Sequence, residues 1–189
     1  MTYDQVRLFL AILTVIANVG AGLVVVSAVG ARFSPFVAGA RDRFNTNLGN
    51  TALPLTFLVA SAATLGSLYL SEIAHLVPCR LCWFQRIAMY PLAVLFGIAW
   101  WRKDRNAWWY GLPIAATGAA ISVYHYLIQW RPRLDAGACS SGVPCSAVYF
   151  REFGFMSIPY MALSGFLAIA VLCVAMRGIA RPAPEPSPP

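Results

Sequence analysis

Five stretches of roughly 20 apolar residues, parted by short polar segments, constrain this chain more than any other feature, because about 20 helical residues cross the hydrocarbon core of a bilayer. They run from Val6 to Val29, Leu53 to Val77, Trp83 to Trp101, Trp108 to Gln129 and Ile158 to Met176. A helix satisfies its own backbone polar groups in lipid, so the expected fold class is an all-α membrane protein. The composition agrees: 59% of the 189 residues are hydrophobic and 11% charged, against about a quarter charged in soluble domains. A water-soluble globule is excluded.

The net charge of +7 comes from 14 Lys and Arg against 7 Asp and Glu. Bases this numerous raise the question of nucleic acid, but they stand singly or in small groups between the apolar runs, where the positive-inside rule accounts for them. No nucleic-acid partner is expected. Arg32, Arg41 and Arg43 precede the second run, Arg102, Lys103 and Arg105 separate the third from the fourth, and Arg177 and Arg181 follow the fifth. Placing these in the cytoplasm sends the loop between runs two and three, and the loop from Trp130 to Ser157, to the outer face of a multi-pass cell-membrane protein. Arg131, Arg133 and Arg151 in the second loop work against this orientation, with Asp135 and Glu152 offsetting part of their charge.

The first run is too long for a signal-peptide core and lacks a basic leader, having Asp4 beside Arg7, so it is read as a retained helix. Trp100, Trp101, Trp108 and Trp109 flank the basic inner loop and suit an interfacial belt. Pro91 and Pro113 sit within apolar runs, where neighbouring helices can re-satisfy a kinked backbone. The end, PAPEPSPP, is too rich in proline to pack. The expected organisation is an additional N-terminal transmembrane helix with its cytoplasmic loop over 1–51, a four-helix core over 52–178 and a disordered cytoplasmic tail over 179–189.

Cysteine usage supplies the chemistry. Cys79 and Cys82 form a Cys-x-x-Cys where one helix ends and the next begins, and Cys139 and Cys145 flank a Ser-, Gly- and Pro-containing turn in the second outer loop. Two thiols at the first spacing can close a small disulfide ring, and unpaired N–H groups at a helix N-terminus, with Arg80 and Arg86 nearby, favour a thiolate. The second pair alone would read as a structural staple. Two redox-type pairs on one face instead suggest thiol–disulfide exchange between them, through mixed disulfides.

Arg86 lies one helical turn beyond Cys82, inside the membrane margin, where a charge is costly and marks a functional site unless it snorkels to headgroups. His125 and Gln129 are one turn apart near the outer end of the fourth run; a membrane His faces the bundle interior, toward a cofactor carbonyl or another helix. Glu72 and His75 read as partly exposed groups at a helix end, and Cys173, deep in the fifth run, as a small apolar residue.

SEIAHLVPCRLCWFQRIAMYPL resembles the first active-site region of the DsbB family of disulfide bond formation proteins, in its short-loop, Gram-positive-like form. The resemblance rests on the Pro-Cys-x-x-Cys, on Trp83-Phe84 and on Arg86. Tyr124-His125-x-x-x-Gln129 is similar to the family's His-bearing helix, and CSSGVPCSAVYFREFGFMSIPYMAL to its second pair leading into the last helix. Together these cover Leu53 to Met176, a four-helix transmembrane bundle; the run from Val6 to Val29 is additional to it.

The resemblance implies an enzyme, a quinone-dependent protein disulfide oxidoreductase. Electrons pass from a reduced DsbA-like thioredoxin-fold protein to Cys139/Cys145, then to Cys79/Cys82, then to a membrane quinone, ubiquinone or menaquinone. By motif position Cys139 takes the mixed disulfide, Cys145 exchanges with Cys79, and Cys82 attacks or forms a charge-transfer complex with the quinone, while Arg86, His125 and Gln129 make the cofactor site. A quinone fits the need for an acceptor more oxidising than the disulfide it regenerates.

Two other readings compete. Vitamin K epoxide reductase-type relays place the loop pair before the Cys-x-x-Cys, the reverse of the order here. Four thiolates could also make a zinc or copper site, but the chain lacks a flanking His- or Cys-rich tract and an oxidising face favours disulfides. No metal is expected.

Overall fold

The computed structural model describes residues 3–30, 35–135, 137, 139 and 143–179, the backbone alone at 35–50, 105, 178 and 179. Helix α1 spans Tyr3–Gly30, α2 Pro35–Leu68, α3 Arg80–Arg102, α4 Trp108–Trp130 and α5 Ile158–Ile179. A π-helical turn, Tyr69–Ile73, continues α2, and 3-10 turns occupy Arg105–Ala107 and Pro132–Leu134. Among the described residues five helices are long and apolar enough to cross a membrane, and no strand forms beyond an isolated bridge between Glu152 and Met156. The all-α membrane class therefore holds. Arg32, Arg181 and the tail from Ala180 lie outside the described residues, as do the side chains of Arg41 and Arg43.

Helices α2 to α5 close a ring in which each packs against its chain neighbour and α5 returns to α2. Helix α1 lies outside this ring, against α5 and α2. Small residues let the ring close, since helices in lipid associate through close packing more than through hydrophobic expulsion. Gly118 of α4 lies under the Phe166 ring of α5, and Gly111 under Phe96 of α3, both rings fully buried. A Cβ at either glycine would run into the ring. Gly118→Ala is therefore expected to destabilise the bundle by about 1–3 kcal/mol through overpacking, read as a lower midpoint of thermal unfolding in detergent. Gln85 of α3 adds a buried polar link by donating to Ser122 Oγ of α4 at 3.0 Å. Cys173 is fully buried in the same core, as its apolar setting implied.

The second helix departs from its expected limits. It starts at Pro35, a residue suited to the first helical turn, and loses regular α geometry after Leu68. The chain then leaves the helix altogether. His75 adopts a left-handed φ of 55°, and Pro78 keeps Val77 out of the α region. The resulting irregular approach carries the chain into α3.

Candidate functional site

Cys79 is the N-cap of α3. Its backbone is extended, with φ −72° and ψ 172°, and its Sγ accepts the backbone N–H of Cys82 at 3.3 Å. The Cys-x-x-Cys thus spans the first turn, and the two sulfurs lie 2.8 Å apart as free thiols. His125, 2% exposed on α4, brings Nε2 to 3.6 Å from Cys79 Sγ. Its Nδ1 is buried with no hydrogen-bond partner among the described residues.

These contacts hold the Cys79 thiol far below its ordinary range, at about 4: the Cys82 S–H donates to it, His125 adds a hydrogen bond and positive charge, and burial opposes both. The depressed pKa suggested by helix position is thus present at Cys79, with its causes in Cys82 and His125; Arg80 is exposed. In the reduced protein the thiolate should persist from the ordinary thiol range near roughly 8.5 down to about 4. The folded state gains from this ionised form above the ordinary range, and the gain is lost as pH falls through about 4. Thiolate ultraviolet absorbance, taken as a difference from Cys79→Ser, checks this; His125→Phe is expected to move the midpoint upward.

Cys139 and Cys145 are joined in a disulfide with Cα atoms 5.8 Å apart, and Cys145 is 1% exposed. Both pack in one buried cluster with Cys79, Leu81 and Ile128, and Cys82 lies against that cluster. Both pairs therefore occupy the same end of the bundle. Hydrogen bonds hold them there. Tyr149 Oη donates to the Val77 carbonyl at 2.7 Å, tying the second cysteine loop to the segment leading into the first pair. Gln129 donates to the Ala147 carbonyl at 3.3 Å and accepts from Ser157 Oγ at 2.6 Å. Cys139 and Cys145, bonded to each other, offer no thiolate, so a four-cysteine metal site is not assembled in this state. Cys79, Cys82 and His125 do bring two sulfurs and an imidazole nitrogen within 4.8 Å of one another.

Whereas His125 belongs to α4, Arg86 is bonded to α2. Its Nε donates to Ser67 Oγ and its Nη2 to the Ser67 carbonyl, both at 3.0 Å, and its guanidinium lies 5.3 Å from the Trp83 ring centroid. Ser67 stands just before the π-turn, where the helical hydrogen-bond pattern changes, and Ser71 Oγ approaches the same carbonyl at 3.4 Å. Cys82, Arg86 and Tyr90 line one end of an apolar chamber of about 460 Å³. Its size suits a drug-sized apolar ligand.

His125 and Gln129 do not line that chamber. They border a narrow crevice with Cys79, Cys82, Pro144 and Tyr149. Ser67 and Tyr149, which hold Arg86 and the second loop, carry no local signal in the sequence, being a serine before a π-turn and one tyrosine among eight. Glu72 and His75 are exposed, as expected.

Residues 49–176 match the profile of the family described as Disulfide bond formation protein DsbB. Disulfide bond formation protein C of Bacillus subtilis (strain 168) is 47% identical over 124 residues, covering 65% of this chain and 90% of that one. A probable disulfide formation protein C 1 of Bacillus anthracis is 54% identical over 110 residues, covering 58% and 79% respectively. A probable disulfide formation protein of Coxiella burnetii (strain Dugway 5J108-111) is 40% identical over 129 residues, covering 67% and 88%. No solved structure matches. Helix α1 precedes the matched region and is an addition to it. With two cysteine pairs gathered at one end of a four-helix ring and this extent of similarity, the chain belongs to the DsbB family of membrane disulfide-formation proteins.

Proposed function

We propose that the protein oxidises a DsbA-like thioredoxin-fold partner outside the cytoplasm and passes the electrons through its two cysteine pairs to a membrane quinone. The observation that carries this reading is the single buried cluster of Cys79, Cys139 and Cys145, with Cys82 against it and opening on an apolar chamber. Arg102 and Lys103 at the far end of α3 support placing the cysteines on the extracytoplasmic side.

The partner's thiolate attacks Cys139 Sγ, the Cys139–Cys145 bond breaks, and Cys145 leaves as a thiolate. The partner's second thiol then displaces Cys139, so the partner gains a disulfide and two electrons enter the loop pair. Cys145 next attacks Cys79 of an oxidised Cys79–Cys82 pair, releasing Cys82, and Cys139 attacks Cys145, releasing Cys79. The loop disulfide is restored and the inner pair is left as two thiols. That is the combination of bonds in this structure.

His125 serves Cys79 as it leaves, its Nε2 stabilising the thiolate at 3.6 Å. Gln129 holds the loop pair through Ala147 and Ser157. These positions favour thiol-side roles for both residues over contact with the quinone. The chamber fits an apolar carrier with a polar head, having Arg86 and Tyr90 beside Cys82 and apolar residues beyond. A quinone supplies a sink for two electrons and two protons. Arg86 offers positive charge for a head group there, fixed in place by Ser67.

Purified protein in vesicles containing ubiquinone or menaquinone, given a reduced thioredoxin-fold protein, tests the proposal. The expected result is loss of quinone absorbance in step with partner disulfide. Partner oxidation with no change in quinone absorbance would overturn the acceptor assignment.

A further inference from the structure

Helix α1 lies outside the region shared with the family, yet it forms part of the chamber that opens on Cys82. Leu13, Ala17, Gly20 and Val24 recur at helical spacing along one face of α1, and all of them line the cavity. Opposite them stand Leu58 and Ala62 of α2 and Met161 and Gly165 of α5. The α1 lining extends from Leu10 to Val24, roughly 20 Å along the helix axis. The chamber is therefore elongated and runs away from the cysteines.

The two ends of α1 are held differently. Near the cysteines, Arg7 pairs with Glu152 of the second cysteine loop and lies 4.9 Å from the Phe150 ring centroid, while Val6 and Ala11 are buried. Leu10 seals this end against α2, lying 2.8 Å from where a Cβ on Gly66 would be. Asn18 donates to Tyr160 Oη of α5 at 3.4 Å. Beyond that point no residue of α1 is buried, and a Cβ added at Gly20 would meet nothing within 4 Å. The helix is fastened at the cysteine end and stands off the ring at the other, leaving space between α1, α2 and α5.

We propose that α1 is the outer wall of a site for the polyprenyl tail of the quinone, with Gly20 keeping that site wide enough for the chain. This rests on the proposed quinone acceptor. The argument for the occupant is continuity: one cavity has a cation, a tyrosine hydroxyl and a thiol at one end and apolar side chains along the rest, the polarity of a head group on an isoprenoid chain. A wall fastened at one end also allows a long chain to enter sideways from lipid.

Gly20 and Gly22 provide a matched test, because both have open space for a side chain but only Gly20 lines the chamber. Gly20→Trp is expected to raise KM for a long-tailed quinone relative to a tail-less one by about tenfold or more, while Gly22→Trp keeps the wild-type ratio. A second reading avoids turnover. In the Cys82→Ser background, a quinone with a photoreactive group on its tail should cross-link to α1, and Gly20→Trp should suppress this where Gly22→Trp does not. Gly20→Leu substitutes if the tryptophan variant does not fold.

Equal effects of the Gly20 and Gly22 variants, or cross-links confined to α2 and α5, would overturn the wall. Wild-type protein that reduces neither quinone would overturn the acceptor assignment instead, and the cross-linking alone would then decide whether α1 borders a tail site.

Discussion

Replacing Cys82 by serine is expected to abolish steady partner oxidation, by about a thousandfold or more, while leaving the fold intact. The variant lacks the sulfur needed to re-form an inner disulfide, so electrons entering the loop pair have no onward route. One consequence separates this from general damage. The Cys139–Cys145 disulfide already present can still accept one electron pair, so each chain should oxidise a single partner dithiol in a burst and then stop. Serine is close in size to cysteine and Cys82 is only partly buried, so the stability cost should be about 1 kcal/mol or less. Quenched-flow counting of partner disulfides per chain, beside thermal unfolding of the same sample, checks both parts. Multiple turnovers by this variant would show that the inner pair is bypassed.

Arg86→Met should raise the KM for quinone by about tenfold or more, with a smaller effect on partner oxidation in the burst. Methionine keeps much of the apolar stem and removes the guanidinium, so the variant isolates charge and hydrogen bonding from packing. Two bonds to Ser67 and the contact with Trp83 hold that guanidinium at the chamber end. Ser67→Ala should therefore act in the same direction with a smaller shift, since one of the two bonds goes to the backbone carbonyl and survives the substitution. A KM unchanged in Arg86→Met would assign the cation to anchoring α3 on α2 alone.

Most of the fold was legible because bilayer thickness converts directly into run length. The third, fourth and fifth helices agree with their apolar stretches to within a few residues. The second does not, because a π-turn and the irregular segment before Pro78 leave hydropathy unchanged while ending regular helix. The candidate site was legible where its residues are local in sequence: the Cys-x-x-Cys at the start of α3, and Arg86 one turn beyond it. What spacing could not supply was direction. His125 and Gln129 lie one turn apart on α4, and only packing against α3 and the second loop brings them beside Cys79 and Ala147. The part played by Tyr149 is of the same kind, since it joins segments 72 residues apart.

One atom, Cys79 Sγ, both closes the first turn of α3 and belongs to the inner redox pair. Charged, it is a strong acceptor for the Cys82 amide; bonded to its neighbour it is neutral and a weaker one. On the proposed relay, the grip on the opening of that helix would tighten and slacken with each passage of electrons, so the backbone would register the oxidation state without any separate sensing part.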